Sequence, residues 1–142
     1  MSFNYVIIWL LAGLIAGYGY FKYASKTHIG REKKAYRIGL VVAAAIYIFF
    51  AVLWGDIYWI VLEILGVLGF GMLALLGKRI SYYVVSMGWL LHILWDVALH
   101  LQGPGAHVAP AWYAISCASF DLLLAGIIAY RVYSWQKSKI NV

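Results

Sequence analysis

IYWIVLEILGVLGFGMLALLG, from Ile57 to Gly77, carries a single charged side chain, Glu63, in a run otherwise made of aliphatic residues, aromatic residues and glycine. A hydrocarbon core about 30 Å thick is crossed by about 20 such residues at about 1.5 Å of helical rise each. The run therefore reads as a membrane-spanning helix. Four more stretches meet the same requirement, so that spans are expected at Phe3 to Phe21, Ile38 to Gly55, Ile57 to Gly77, Ile80 to Leu101 and Val108 to Tyr130. Barrel strands would be about ten residues long and would alternate apolar with polar side chains, which these runs do not. The first stretch starts close to Met1 without the basic segment and small-residue cleavage site of a secretory signal, and is expected to be a retained helix.

Composition leads to the same class. The chain is 65% hydrophobic and 11% charged, against about 45–50% apolar and about 25% charged residues in soluble domains. Its 142 residues are expected to form a single membrane domain, an all-α antiparallel bundle of five transmembrane helices. The connections are short, and Gly103-Pro104-Gly105 and Ala109-Pro110 break helical structure between the last two spans. The formal net charge of +6 would suggest nucleic acid in a soluble protein. Here every basic residue falls in the first connection (Lys22, Lys26, Arg31, Lys33, Lys34, Arg37), the third (Lys78, Arg79) or the tail (Arg131, Lys137, Lys139). With five spans these lie on one side. The positive-inside bias then places the N-terminus outside and the C-terminus in the cytoplasm of a bacterial or archaeal cytoplasmic membrane, with no nucleic-acid partner.

Smaller signals fill in the bundle. The lone Cys117 excludes an internal disulfide or a Cys-x-x-Cys metal site. Gly13 and Gly17 form a GxxxG that lets backbones approach, and are the expected contact in a homo-oligomer. Trp54, Tyr58, Trp59, Trp112, Tyr113, Tyr133 and Trp135 sit near span ends as an interfacial aromatic belt. Glu32 is expected to cap or pair locally within the basic run, and His28 to play no part in chemistry.

Charge inside the spans is the feature that points to function. Glu63, Asp96 and Asp121 lie within predicted helices together with His92 and His100, although a central Asp costs about 2.5–3.5 kcal/mol on insertion. His92, Asp96 and His100 recur every fourth residue and climb one face of the fourth helix. Residues equidistant from a short turn lie at similar depth. Pairing Leu101 with Ala111 thus puts His92 level with Phe120 or Asp121, and Asp96 near Ser116 or Cys117. Pairing Gly77 with Ile80 puts Glu63 level with Leu94 or Trp95. The acids converge in the outer half of the bilayer without a Lys or Arg, with His100 and His107 nearer the outer mouth. Ionised carboxylates do not stay unpaired in low dielectric; they are protonated, paired with a histidine, hydrated or bound to a cation.

The string Gly88-Trp89-Leu90-Leu91-His92-Ile93-Leu94-Trp95-Asp96-Val97-Ala98-Leu99-His100 resembles the hallmark of a family of small bacterial membrane proteins of unknown function, G-W-L-x-H-x-x-W-D-x-x-H-H. The resemblance continues through the basic connection from Glu32 to Arg37, Pro110, and the Cys-x-x-x-Asp of Cys117 and Asp121. Leu99 stands where the family usually has a second histidine and Phe120 where it often has a second cysteine. The resemblance implies a shared site at His92, Asp96, His100 and Asp121 and brings no activity with it.

These observations lead to an integral membrane enzyme acting on a lipid or other lipophilic small molecule. Glu63, Asp96, Asp121 and His92 are the expected catalytic residues. A divalent Zn, Fe or Mn ion is expected on His92, Asp96, His100 and Asp121, with His107, Glu63 and Cys117 as secondary ligand candidates. The alternatives are a proton or cation transporter, whose path is also marked by intramembrane acids and histidines, and a structural or accessory subunit.

Overall fold

Capping side chains set where the first three helices start. The Ser2 hydroxyl accepts from the Tyr5 amide at 3.3 Å, His28 Nδ1 from the Arg31 amide at 3.3 Å, and Asp56 Oδ1 from the Tyr58 and Trp59 amides at 2.9 and 3.2 Å. Each supplies an acceptor to amides that have no partner inside their own helix. The helices that follow are α1 (Phe3–Ser25), α2 (Ile29–Trp54), α3 (Ile57–Arg79), α4 (Tyr83–Trp95) and α5 (Ala111–Ile140). Asp96–Leu101 prolongs α4 as a π-helical turn. This computed structural model describes residues 1–140, with side chains through 137, so the side chain of Lys139 lies outside the described residues.

α1, α2, α3, α5 and the continuous helix Tyr83–Leu101 formed by α4 with its π-helical turn are each long and apolar enough to cross a membrane, and no strand occurs among the described residues. Helix and apolar stretch are nevertheless different lengths. α2 begins at Ile29, well before the apolar run at Ile38, because the intervening Arg and Lys residues are good helix formers. Val108 and Ala109, expected to open the last span, belong instead to the connection before it. Pro110 has no amide hydrogen to give and stands just ahead of the first turn of α5, where that loss is harmless.

Around the bundle, α1 lies on α5, α5 on α4, α4 on α3 and α3 on α2, while α1 and α2 barely touch. Consecutive helices are neighbours as expected, but the first pair meets only at one end, and α1 packs mainly on α5. Small residues explain this. A Cβ at Gly13 would lie 2.0 Å from the Ser116 carbonyl oxygen, and the Ser119 hydroxyl donates to the Leu10 carbonyl at 2.8 Å. The GxxxG is thus occupied by α5 of the same chain, where a contact with a second copy was expected. α1 and α2 are tied near the basic end, where the Tyr20 hydroxyl donates to the Ala35 carbonyl at 2.7 Å, and a space opens between them beyond that point.

Two buried clusters hold the rest. Tyr36, Leu40, Val85, Trp89, Leu124 and Ile128 fill the half nearer the basic connections, and Tyr47, Phe50, Trp59 and Val108 fill the other. Large apolar side chains such as Ile15, Leu68, Leu94 and Leu122 cover the outside, as a lipid-facing surface requires. Glu32 departs from its expected local pairing. Already inside α2, it faces the bundle, is fully buried, and accepts from Arg131 Nε and Nη2 at 2.9 and 2.6 Å and from the Tyr36 hydroxyl at 2.9 Å.

The tightness of the α1–α5 contact makes a prediction. Gly13→Ala is expected to lower stability by about 1–3 kcal/mol, the cost of overpacking. Gly19→Ala, with no atom within 4 Å of the new Cβ, is expected to leave it unchanged or raised. Thermal unfolding followed by circular dichroism in detergent measures both.

Candidate intramembrane His/carboxylate site

His92 and Asp96 stand one turn apart on one face of α4 and its π-helical extension, and α5 brings Asp121 to meet them. His92 Nδ1 lies 2.7 Å from Asp121 Oδ2 and 3.5 Å from Asp96 Oδ1. All three residues are fully buried. Each offers one ligand atom, and these atoms lie within 4.8 Å of one another. The short bond joins His92 to Asp121 and leaves the other side-chain atoms unsatisfied: His92 Nε2, both oxygens of Asp96 and Asp121 Oδ1 have no hydrogen-bond partner. Buried polar atoms are rarely left so, because each forfeits its bonds to water.

Glu63 and His100 form a second group. His100 Nε2 is 3.0 Å from Glu63 Oε1, and Trp95 Nε1 donates to Glu63 Oε2 at 3.2 Å. Trp95 and His100 are five residues apart, a spacing that an α-helix turns away from a common partner. The π-helical turn, whose bonds run to the fifth residue as in Gln102 N to Val97 O at 2.9 Å, brings both to Glu63. Glycine at 66 admits the indole, since a Cβ there would lie 2.8 Å from Trp95 Cζ2. His100, in the last turn before the connection, is buried because the chain folds back over it and the Gly105 carbonyl meets its Nδ1 at 3.3 Å. His100 therefore stands apart from the other residues with which it was grouped as a ligand.

Tyr47 connects the two groups. Its ring stacks on His100 with centroids 4.3 Å apart, and its buried hydroxyl interacts with the Asp96 carboxylate. Sequence reading missed this residue. Its signal was position: a tyrosine in the middle of the apolar run from Val41 to Leu53, away from the span ends where belt tyrosines sit. Cys117 is half-buried one turn before Asp121 and interacts with the Tyr113 hydroxyl. His107 lies in the exposed loop, its Nδ1 3.0 Å from the Pro104 carbonyl, at the edge of the Trp59 ring and outside both groups.

The charges do not balance equally. One proton between Glu63 and His100 neutralises that pair. Asp96 and Asp121 have one imidazole between them, and no Lys or Arg forms an ion pair with any of these acids among the described residues. Asp121 also reaches the space between α1, α2 and α5, a cavity of about 410 Å³ walled by Trp9, Tyr20, Ile46, Trp112 and Phe120. It is the one acid on that wall among the described residues.

The string from Gly88 to His100 and the acid on α5 thus sit together in the fold, and the family comparison covers both. The chain belongs to DUF6010, a family of unknown function. The match runs over residues 8–134 and so includes every residue of both polar groups. No curated protein and no solved structure matches the chain.

Asp96 has only the 3.5 Å approach of His92 Nδ1 and the neighbouring Tyr47 hydroxyl to offset its burial. In chelator-treated protein, Asp96→Leu is expected to raise the thermal midpoint, because it exchanges a buried carboxylate whose lost hydration is poorly repaid for an apolar side chain of similar volume. A lowered midpoint would show that Asp96 holds the bundle together.

Proposed function

We propose that this chain is an integral membrane enzyme that binds a divalent metal through His92, Asp96 and Asp121 and acts there on a lipophilic substrate taken from the bilayer. The observation that carries the reading is the set of ligand atoms within 4.8 Å of one another, most of them without another partner and with one imidazole against two carboxylates. Imidazole nitrogen with carboxylate oxygen suits Zn, Fe or Mn. Zinc–ligand bonds of about 2.0–2.2 Å need donors about 3–4 Å apart, close to the spacing the side chains already have. A divalent ion would supply Lewis-acid polarisation of a substrate oxygen or an acidified water.

The chain's own residues take the remaining roles. Asp121 links the ligand set to the apolar cavity, whose opening between α1 and α2 gives a lipid or other hydrophobic molecule lateral access from the membrane. Glu63 and His100 hold a proton within reach of the ligand set through Tyr47, a reserve for general acid/base work. Cys117 and Tyr113 form the polar edge of the cavity, and His107 stays outside the ligand set. The basic connections, all at one end of the bundle, support an N-terminus outside the cytoplasm and a site in the outer half of the membrane. A transport path is the weaker reading, because the buried layer of Leu40, Trp89 and Leu124 lies between the carboxylates and the basic end with no charged side chain in it.

Elemental analysis of the chain purified into nanodiscs tests the proposal. The expected result is one Zn, Fe or Mn ion per chain, lost in His92→Ala and Asp121→Asn and kept in His28→Ala, with all variants eluting as the wild type on size exclusion. A wild-type chain that holds no metal, even after incubation with each of these ions, overturns the metal centre.

A further inference from the structure

At the end of the bundle remote from the carboxylates, α2, the last turn of α3 and the chain entering α4 enclose a second polar space. It measures about 330 Å³ and is walled by Lys33, Arg37, Lys78, Ser81 and Tyr82, with no acid among its lining residues. The one acid nearby in sequence, Glu32, is fully engaged by Arg131 and Tyr36. Tyr82 does not neutralise the cations either. Its hydroxyl donates to the Lys33 carbonyl, and burial pushes the phenol above its ordinary range, so it stays uncharged beside Arg37. The Lys33 ammonium is held 4.7 Å from the Trp135 ring centroid and 5.5 Å from that of Tyr82. Aromatic faces orient a cation without cancelling its charge.

Arg37 belongs to a second space as well. With Lys34 it closes the polar end of a groove of about 830 Å³ between α2 and α3, lined by Ile38, Val41, Val67, Leu68, Met72 and Leu75. Gly71 also lines the groove, and a Cβ there would meet nothing within 4 Å. A cationic pocket at the membrane edge therefore continues, through one arginine, into an apolar trough on the lipid-facing side of two transmembrane helices.

We propose that this is a binding site for an anionic phospholipid, with the headgroup phosphate among Lys33, Arg37 and Lys78 and an acyl chain in the groove of Val41, Leu68 and Met72. Charge complementarity selects the headgroup: three cationic side chains with no carboxylate suit a phosphate that accepts several charge-assisted hydrogen bonds. Continuity with the groove selects a lipid over a free phosphate. Basic pockets between helices on the positively charged side of membrane proteins hold anionic headgroups for the same reason. The site is independent of the His/carboxylate centre and stands or falls without it.

Native mass spectrometry of the full chain in detergent, titrated with dioleoyl phosphatidylglycerol or dioleoyl phosphatidylcholine, tests the site. Phosphatidylglycerol is expected to bind at least about tenfold more tightly, and the R37Q/K78Q double variant to lose about that factor, as removal of charge-assisted contacts should. The K22Q/K26Q variant, which removes the same charge from the end of α1 outside the pocket, is expected to bind as the wild type. Met72→Trp, which fills the groove and keeps every charge, is expected to weaken binding, and guards against a folding defect in the double variant. Equal binding of the two lipids overturns the proposal. So does equal loss in both double variants, which would mean diffuse surface charge, or undiminished binding in R37Q/K78Q or Met72→Trp. Displacement of the lipid by glycerol 3-phosphate at matching concentration overturns it in favour of a soluble phosphate ligand.

Discussion

A hydrocarbon interior supplies no hydrogen-bond partners, so each polar side chain carried into it must be satisfied by another part of the same bundle. Most of this chain obeys that constraint. Tyr20 and Ser119 find backbone carbonyls on neighbouring helices, Ser86 donates to the Ala125 carbonyl at 2.7 Å, and Glu32 takes both arms of Arg131. Glu63 is met from two directions by Trp95 and His100. Among the buried atoms without a hydrogen-bond partner, which also include the Trp89 indole nitrogen, those of His92, Asp96 and Asp121 form a cluster. It lies beside a helix distortion and the edge of a cavity.

The distortion is what makes the second pair possible. An undistorted α4 would carry the stripe of His92, Asp96 and His100 slowly around its axis and present Trp95 elsewhere. Widening the last turn to a π-helix lets Trp95 and His100 share Glu63 while His92 and Asp96 remain directed at α5. The single stripe is thereby divided between two partners. Glu63 has an imidazole of its own in His100, whereas Asp96 and Asp121 share His92. Such turns give up regular helical bonding and are frequent at functional sites.

The spaces in the bundle follow from where small residues fall. Gly13 draws α1 onto α5 and away from α2, which opens the apolar cavity that reaches Asp121. On the other side of α2, the groove against α3 runs down to Arg37 and the basic pocket. The two spaces share Val42 but differ at their polar ends, one finishing on a carboxylate and the other on cations. Opposite charges at opposite ends of the bundle suit ligands of different chemistry.

Much of this was legible in the residues alone. Apolar length defines the five spans, because bilayer thickness sets a minimum that few other structures meet. The recurrence of His92 and Asp96 at one turn's spacing, with short connections that make depth countable, put His92 at the level of Asp121 and Glu63 at that of Trp95, and those contacts form. What was not legible is which way each helix turns. In a soluble bundle a polar face marks the outside, but here the outer surface is as apolar as the core, so hydropathy is silent about rotation. Assembly of the bundle therefore decided that Gly13 faces α5, that Glu32 crosses to Arg131, and that His100 leaves the stripe for Glu63. The π-helical turn and the role of Tyr47 belong to the same class, since both depend on contacts between residues far apart in the chain.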